Sequence, residues 1–304
     1  MTMTTELKTI RDFVRFATSQ FNEALLCFGH GTDNAWDEAI ALILHTLHLP
    51  HDINPVILDA NLIEDEKKKL MLLIEKRVNL RIPVPYLTHT AWFAHLSFYV
   101  DERVLIPRSP IAELIENHFS PWLASEDIHD ILDLCTGSGC IAIACAKTFD
   151  HIHVDASDIS ADALAVAKIN ALRHSVEDQV TFYQSDLFQS LPQKQYDIIV
   201  SNPPYVSTEE MMQLPKEYHH EPALSLNAGQ QGLDIVLKIL AHAIPYLKPH
   251  GILIVEVGNS EHELLNHFPQ VPFTWPEFEH GGAGVFILTK EQIKKYFPQT
   301  IKES

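Results

Sequence analysis

Between residues 128 and 257 the chain alternates short unbroken apolar runs with amphipathic stretches, and this alternation restricts the fold more than any other feature. Residues 128–134, 152–156, 180–183, 196–201 and 251–257 read as strands, and 141–147, 161–173 and 233–247 as helices. Strands apolar on both faces and joined by helices predict an α/β fold, a mainly parallel sheet covered on both sides. Ligands of such sheets bind beyond the carboxyl ends of the strands.

The region before it is different. Leu7, Ile10, Phe13, Val14, Ala17 and Phe21 recur at three- and four-residue spacing, which predicts one buried helical face. After a break at Phe28-Gly29-His30-Gly31, Asp33 or Asn34 caps a second helix that closes before Pro50, and a third fits residues 61–79. Residues 83–100 turn aromatic (Tyr86, Trp92, Phe93, Phe98, Tyr99), which predicts a β-hairpin. The organisation expected is therefore a helical N-terminal domain over 1–82, a hairpin linker over 83–104 and an α/β domain over 105–304.

Composition excludes several classes. A net charge of −18, from 22 basic and 40 acidic residues, argues against non-specific binding to a nucleic-acid backbone, which requires surplus cations. No apolar stretch approaches the ~18 residues of a membrane span, and residues 1–6 lack the basic-then-apolar pattern of a secretory leader. A cytoplasmic protein is expected. Four cysteines are too few for a disulfide scaffold, and the 18 histidines do not fall into a zinc-site spacing, so no metal is expected.

The first strand of the α/β region runs into Asp133-Leu134-Cys135-Thr136-Gly137-Ser138-Gly139-Cys140, directly before a helix. Glycines allow a tight turn and close approach of a ligand to the helix N-terminus. Gly137-x-Gly139-x-x-Ala142 matches a dinucleotide fingerprint, with Asp158 nineteen residues after Gly139, so spacing alone separates NAD poorly from S-adenosylmethionine. The acids favour the latter: Asp133, Asp158 and Asp186 each fall near a strand's carboxyl end and suit a ligand carrying a sulfonium and an ammonium but no phosphate. Asp158 is expected at the ribose hydroxyls, Asp186 at the adenine amino group, and Asp133 by the methionine part. Thr136, Gly137 and Gly139 would form the cofactor loop.

The fourth strand ends in Asn202-Pro203-Pro204-Tyr205. Two prolines make a rigid turn, but a turn needs neither an Asn before them nor an aromatic after them. The chemistry this quartet suits is methylation of a planar NH₂ group, whose lone pair is delocalised. Accepting its two N–H bonds, at the Asn202 side-chain oxygen and the Pro203 carbonyl, would hold the nitrogen and turn its lone pair toward a methyl donor. Tyr205 would pack against the flat target. Asn202, Pro203 and Tyr205 are therefore the catalytic candidates, with Pro204 completing the substrate wall and Asn202 also beside the cofactor.

Asp133-x-x-Thr136-Gly137-x-Gly139 together with Asn202-Pro203-Pro204-Tyr205 resembles the class I S-adenosylmethionine-dependent amino-methyltransferases. Nearly the whole chain is similar to the protein glutamine methyltransferases of the HemK/Prm type, through Arg81-Ile82-Pro83-x-x-Tyr86-Leu87, Phe98 to Arg108, and Glu221-Pro222 before Gly229 and Gly232-Leu233. Arg108-Ser109-Pro110-Ile111-Ala112-Glu113 differs from the release-factor branch, and the segment from Phe28 to Ala39 is similar to the PrmB branch. That resemblance implies methylation of a glutamine amide in large-subunit ribosomal protein L-three, on a Rossmann-like seven-stranded sheet whose last strand is antiparallel. It also implies a basic protein partner, and Glu209, Glu210, Glu217 and Glu221 near the quartet would attract one. Cys135 departs from the glycine that many class I enzymes have there. Alternatives sharing parts of the pattern are the same chemistry on the GGQ glutamine of release factors, adenine methylation in nucleic acid, and an NAD-dependent oxidoreductase.

Overall fold

The computed structural model describes residues 6–298; residues 1–5, part of the segment whose composition argues against a leader, lie outside that range. The chain divides into two compact units. One takes the residues up to 91 with 100–102 and 215–220, and the other takes 92–99, 103–214 and the chain from 221 onward.

The first unit holds α1 (Ile10–Glu23), α2 (Ala35–Thr46), α3 (Glu64–Leu80) and the short α4 (Val84–Thr88). Thr9 and Asp12 cap α1 reciprocally, satisfying backbone donors that a helix start leaves orphaned. Its buried residues are Ile10, Phe13, Val14, Ala17 and Phe21, the face that the spacing predicts. Of the two cap candidates for α2, Asn34 accepts the hydrogen bond from Asp37 N–H. The third helix begins three residues later than expected, at Glu64, and stops where Arg81 turns left-handed at φ 62°.

At the centre of this unit lies a buried charge cluster. Arg77 is wholly buried; its Nε donates to Glu38 at 2.6 Å, its Nη1 to Glu217 at 3.4 Å and its Nη2 to the Cys27 carbonyl at 2.9 Å. Arg81 donates to the same Glu217 oxygen at 3.3 Å. The Tyr218 ring lies 4.4 Å from that of His30, and a Cβ at Gly29 would come within 2.8 Å of the Tyr218 hydroxyl. The segment from Phe28 to Ala39, marked by its helix break and by resemblance, thus receives residues 215–220.

The second unit opens with a hairpin whose strands are β1 (Ala91–Phe93) and β2 (Leu96–Phe98), β1 starting on the last residue of the first unit. Only this part of the 83–100 stretch is β-structure. Residues 84–88 form α4 instead, because Pro85 sits in a first helical turn, where its missing N–H costs nothing.

Then come α5 (Ile111–Glu116), β3 (Asp130–Leu134), α6 (Cys140–Thr148), β4 (His153–Asp158), α7 (Ala161–His174), β5 (Val180–Gln184) and β6 (Tyr196–Ser201). The chain continues through α8 (Thr208–Gln213), α9 (Asp234–His242), β7 (Leu247–Glu256), α10 (Glu261–His267), β8 (Val285–Thr289) and α11 (Lys290–Tyr296). The sheet runs β5-β4-β3-β6-β7-β8, parallel except for β8, which is antiparallel to β7. Successive residues feed opposite faces: Ile131, Ile198 and Ile254 join the apolar cluster with α5 and α6, while Leu132, Ile199 and Leu253 join the one with α9.

Two expectations are corrected here. The sheet has six strands among the described residues; beyond β8 a single bridge from Thr274 to Ile287 stands where a seventh would pair, since Pro272 and Pro276 flank it and carry no N–H to extend the ladder. The helix expected over 233–247 ends at His242, because Pro245 cannot continue it, and Leu247 already belongs to β7.

Candidate functional site

The register places Leu134 beside both Ser157 and Ser201, so β3, β4 and β6 end at one level. A cleft opens there, within the second unit. Among its walls are Thr136, Gly137, Asp158, Asp186, Asn202 and Pro204.

The glycine loop is pinned by acids from below and from the side. Asp133 is fully buried; its Oδ2 accepts from Thr136 Oγ1 at 2.5 Å and from Ala142 N at 3.2 Å, tying the loop to the first turn of α6. Its Oδ1 is buried without a partner, and burial pushes the carboxyl up to about 7. Asp158 ends β4 and accepts from Gly137 N and Ser160 N, each at 2.9 Å, and burial raises its pKa as well. Gly139 has φ 79°, and a Cβ on it would lie 3.0 Å from Ala167 Cβ, so the loop can close onto α7 only with glycine there. Cys135 adopts φ 60°, the left-handed conformation that glycine takes without strain; a side chain in that region costs on the order of 1 kcal/mol. The departure seen at Cys135 therefore preserves the backbone shape. Cys140, also on the wall, is pushed up to about 12 by burial.

At the reacting end, Ser201 Oγ donates to the Leu134 carbonyl at 2.8 Å and locks β6 to β3 just before the quartet. Asn202 lines the cleft, and its Oδ1 is buried without any partner. An acceptor left so costs about 1–3 kcal/mol. Pro203 is buried and Pro204 is on the wall. Tyr205 is half-buried off the wall; its hydroxyl donates to Glu256 Oε1 at 2.9 Å.

The site therefore brings Thr136, Gly137, Asp158, Asp186, Asn202 and Pro204 to one cleft, whereas Asp133, Gly139, Pro203 and Tyr205 stand behind it. Sequence reasoning passed over Glu256 and Ser109, although a lone acid at the end of the apolar run Ile252-Leu253-Ile254-Val255 was a visible signal. It also expected four glutamates to form an attracting surface, and that is corrected. Glu217 is buried against Arg77 and Arg81, Glu221 is forked by Arg108 at 2.6 and 2.7 Å, and Glu210 caps α8 through Ser207. Only Glu209 is exposed.

The cleft suits S-adenosylmethionine. Asp158 and Asp186 line it at the end of β4 and beyond that of β5, with Asp133 behind the loop, a helix N-terminus faces it across an open position at Gly137, where a Cβ would meet nothing within 4 Å, and it presents one orphaned acceptor.

A profile of the Methyltransferase small domain family matches residues 117–218. Among solved structures, the human methyltransferase 10 domain containing protein aligns over 74% of this chain and 95% of its own, at 18% identity and a TM-score of 0.45. The ribosomal protein uL3 glutamine methyltransferase of Francisella tularensis (strain SCHU S4) is 47% identical over 95% of this chain and 93% of its own length. The corresponding protein of Xanthomonas campestris pv. campestris is 53% identical over the same shares. With its sheet, its cleft and these relatives across nearly its full length, the chain belongs to the ribosomal protein uL3 glutamine methyltransferase family.

Proposed function

We propose that the protein transfers a methyl group to the side-chain amide nitrogen of a glutamine in large-subunit ribosomal protein uL3, with S-adenosylmethionine as donor. The observation that carries the chemistry is the buried, unpartnered Oδ1 of Asn202 on the cleft wall; the substrate follows from the relatives' names. When bound, the cofactor supplies an electrophilic methyl on a sulfonium. Asp158 would hold the ribose hydroxyls, Asp186 the adenine amino group, and the Thr136–Gly139 loop with Asp133 beneath it the methionine part.

Asn202 Oδ1 and the Pro203 carbonyl accept the two amide N–H bonds. The nitrogen lone pair, which stands normal to the amide plane and is delocalised into the carbonyl, is thereby held facing the methyl. Held there, the amide nitrogen would take the methyl from the sulfonium, leaving the thioether, and would lose one N–H proton to solvent once alkylated. Proximity at about 3 to 3.5 Å does most of the work. A ribosomal-protein substrate puts the enzyme in the cytoplasm, with a basic protein rather than a nucleic acid as partner. No helix among the described residues is long and apolar enough to cross a membrane.

The test is methyl transfer from labelled S-adenosylmethionine into an unmethylated bacterial lysate, followed by mass-spectrometric mapping. Label on a uL3 glutamine is expected. Label confined to a release factor would move the substrate while keeping the chemistry, and label in nucleic acid would overturn the reading.

A further inference from the structure

Glu256, the last residue of β7, is 4% exposed, and its hydrogen-bond partners are two neutral hydroxyls. Oε1 accepts from Tyr205 at 2.9 Å and Oε2 from Ser109 Oγ at 2.5 Å, while Ser109 Oγ itself accepts from Ile111 N at 3.2 Å, at the start of α5. The neighbouring Arg108 forks onto Glu221 instead. A buried carboxylate held by hydroxyls is an expensive arrangement, and an apolar pair of similar size would pack there at lower cost.

The rest of the surroundings immobilise Tyr205. Its carbonyl accepts from Ser260 Oγ at 2.8 Å. A Cβ at Gly232 would lie 2.3 Å from that carbonyl, one at Gly258 would lie 2.5 Å from the ring, and one at Gly284 would strike the Gly258 carbonyl oxygen at 2.3 Å. Gly258 thus fits against the ring and Gly232 against the carbonyl of Tyr205, with Gly284 behind Gly258, and Glu256 meets the ring's hydroxyl. Three residues upstream in the same rigid turn is Asn202.

We propose that Glu256 is a positioning residue for methyl transfer: acting through the Tyr205 hydroxyl, with Ser109 fixing its other oxygen, it holds the Asn-Pro-Pro-Tyr turn so that the Asn202 oxygen stays aimed at the target amide. The role of Tyr205 is then to anchor the turn from behind rather than to stack on the substrate. The proposal rests on the methyltransferase reading of the cleft. Its chemistry is geometric, since Glu256 exchanges no proton with the substrate, and the cofactor loop lies on other strands.

The variants are Y205F, E256L, E256Q, S109A and the double variant Y205F/E256L, assayed for turnover on the basic protein substrate, cofactor affinity by calorimetry, and amide hydrogen exchange over residues 201–207. Expected are equal falls in kcat of about 10- to 100-fold for Y205F and E256L, no further fall in the double variant, and KM and cofactor affinity within about 3-fold of wild type. E256Q, which keeps an acceptor for Tyr205, should recover most of the loss, and S109A should fall by about 3- to 10-fold. Exchange over 201–207 should quicken in Y205F and E256L. Additive losses, wild-type kcat in a folded E256L, or unchanged exchange would each overturn the proposal. Should the leucine variant fail to fold, Y205F and S109A carry the same comparison. Wild-type protein that labels no glutamine would refute the functional reading instead, and the two failures are thereby separate.

Discussion

Replacing Asn202 by alanine should separate catalysis from stability in opposite directions. Oδ1 is buried with no donor, so the folded enzyme carries an unsatisfied acceptor worth about 1–3 kcal/mol of lost solvation. In the reaction that same oxygen accepts an N–H from a nitrogen gaining positive charge, an interaction worth about 2.7–4 kcal/mol when a preorganised group is removed from a desolvated site. At 1.36 kcal/mol per decade this is on the order of 10²- to 10³-fold in kcat. Asn202→Ala should therefore lose turnover by about that factor while its melting temperature stays level or rises by about 2 °C. Affinity for S-adenosylmethionine should change by no more than about 3-fold, because the acids that face the cofactor belong to β4 and the segment after β5. Turnover with labelled cofactor, a thermal melt and calorimetry read all three. Near-normal turnover would reject the role, and a melting temperature that falls in step with activity would show that the oxygen has a structural partner after all.

Asp158→Ala should weaken cofactor binding by roughly 1.5–3 kcal/mol, the range for a hydrogen bond to a charged group; unchanged affinity by calorimetry would reassign that residue. Asp133 gives a pH test: burial raises its carboxyl to about 7, so the folded state keeps a proton that the unfolded chain has released. Its contribution to stability is full below the ordinary carboxylate value and is lost as pH rises toward 7, giving a downward slope between about 4 and 7 that Asp133→Asn removes, measurable by urea unfolding without cofactor. Arg77→Ala leaves Glu38 and Glu217 buried without their shared cation and should cost about 3–5 kcal/mol; a melting temperature within 2 °C of wild type would contradict this.

Elements with a strong local period were legible in the sequence. The face of α1, a cap for α2 at Asp33 or Asn34, the parallel strands and the loop from Asp133 to Gly139 all follow from spacing and residue type. Proline placement decided the misreadings, turning residues 84–88 into a helix and cutting α9 short. Contacts between distant residues left no local trace. Glu217 looks like a loop acid yet is buried between Arg77 and Arg81. Glu256 looks like the solvated end of a strand yet meets Tyr205 across 51 residues of sequence. At the candidate site the quartet reaches the cleft wall at Asn202 and Pro204, whereas Tyr205 packs off the wall against Gly258 and Glu256, neither of which is near it in sequence.

The return of residues 215–220 to the helical unit has a consequence for how the chain is made. Arg77 is synthesised 140 residues before Glu217, and at about 5–20 residues per second the ribosome takes roughly 7–28 s to cross that interval. Until then the nascent unit holds its buried guanidinium with Glu38 as the one carboxylate of the pair in place. The helical unit is therefore begun first but cannot be completed until residue 220 is made, when β7 and β8 of the second unit are still to come. A fragment ending near residue 100 stops before the segment that completes its core, so the isolated unit needs residues 215–220 returned to it as a linked or added peptide.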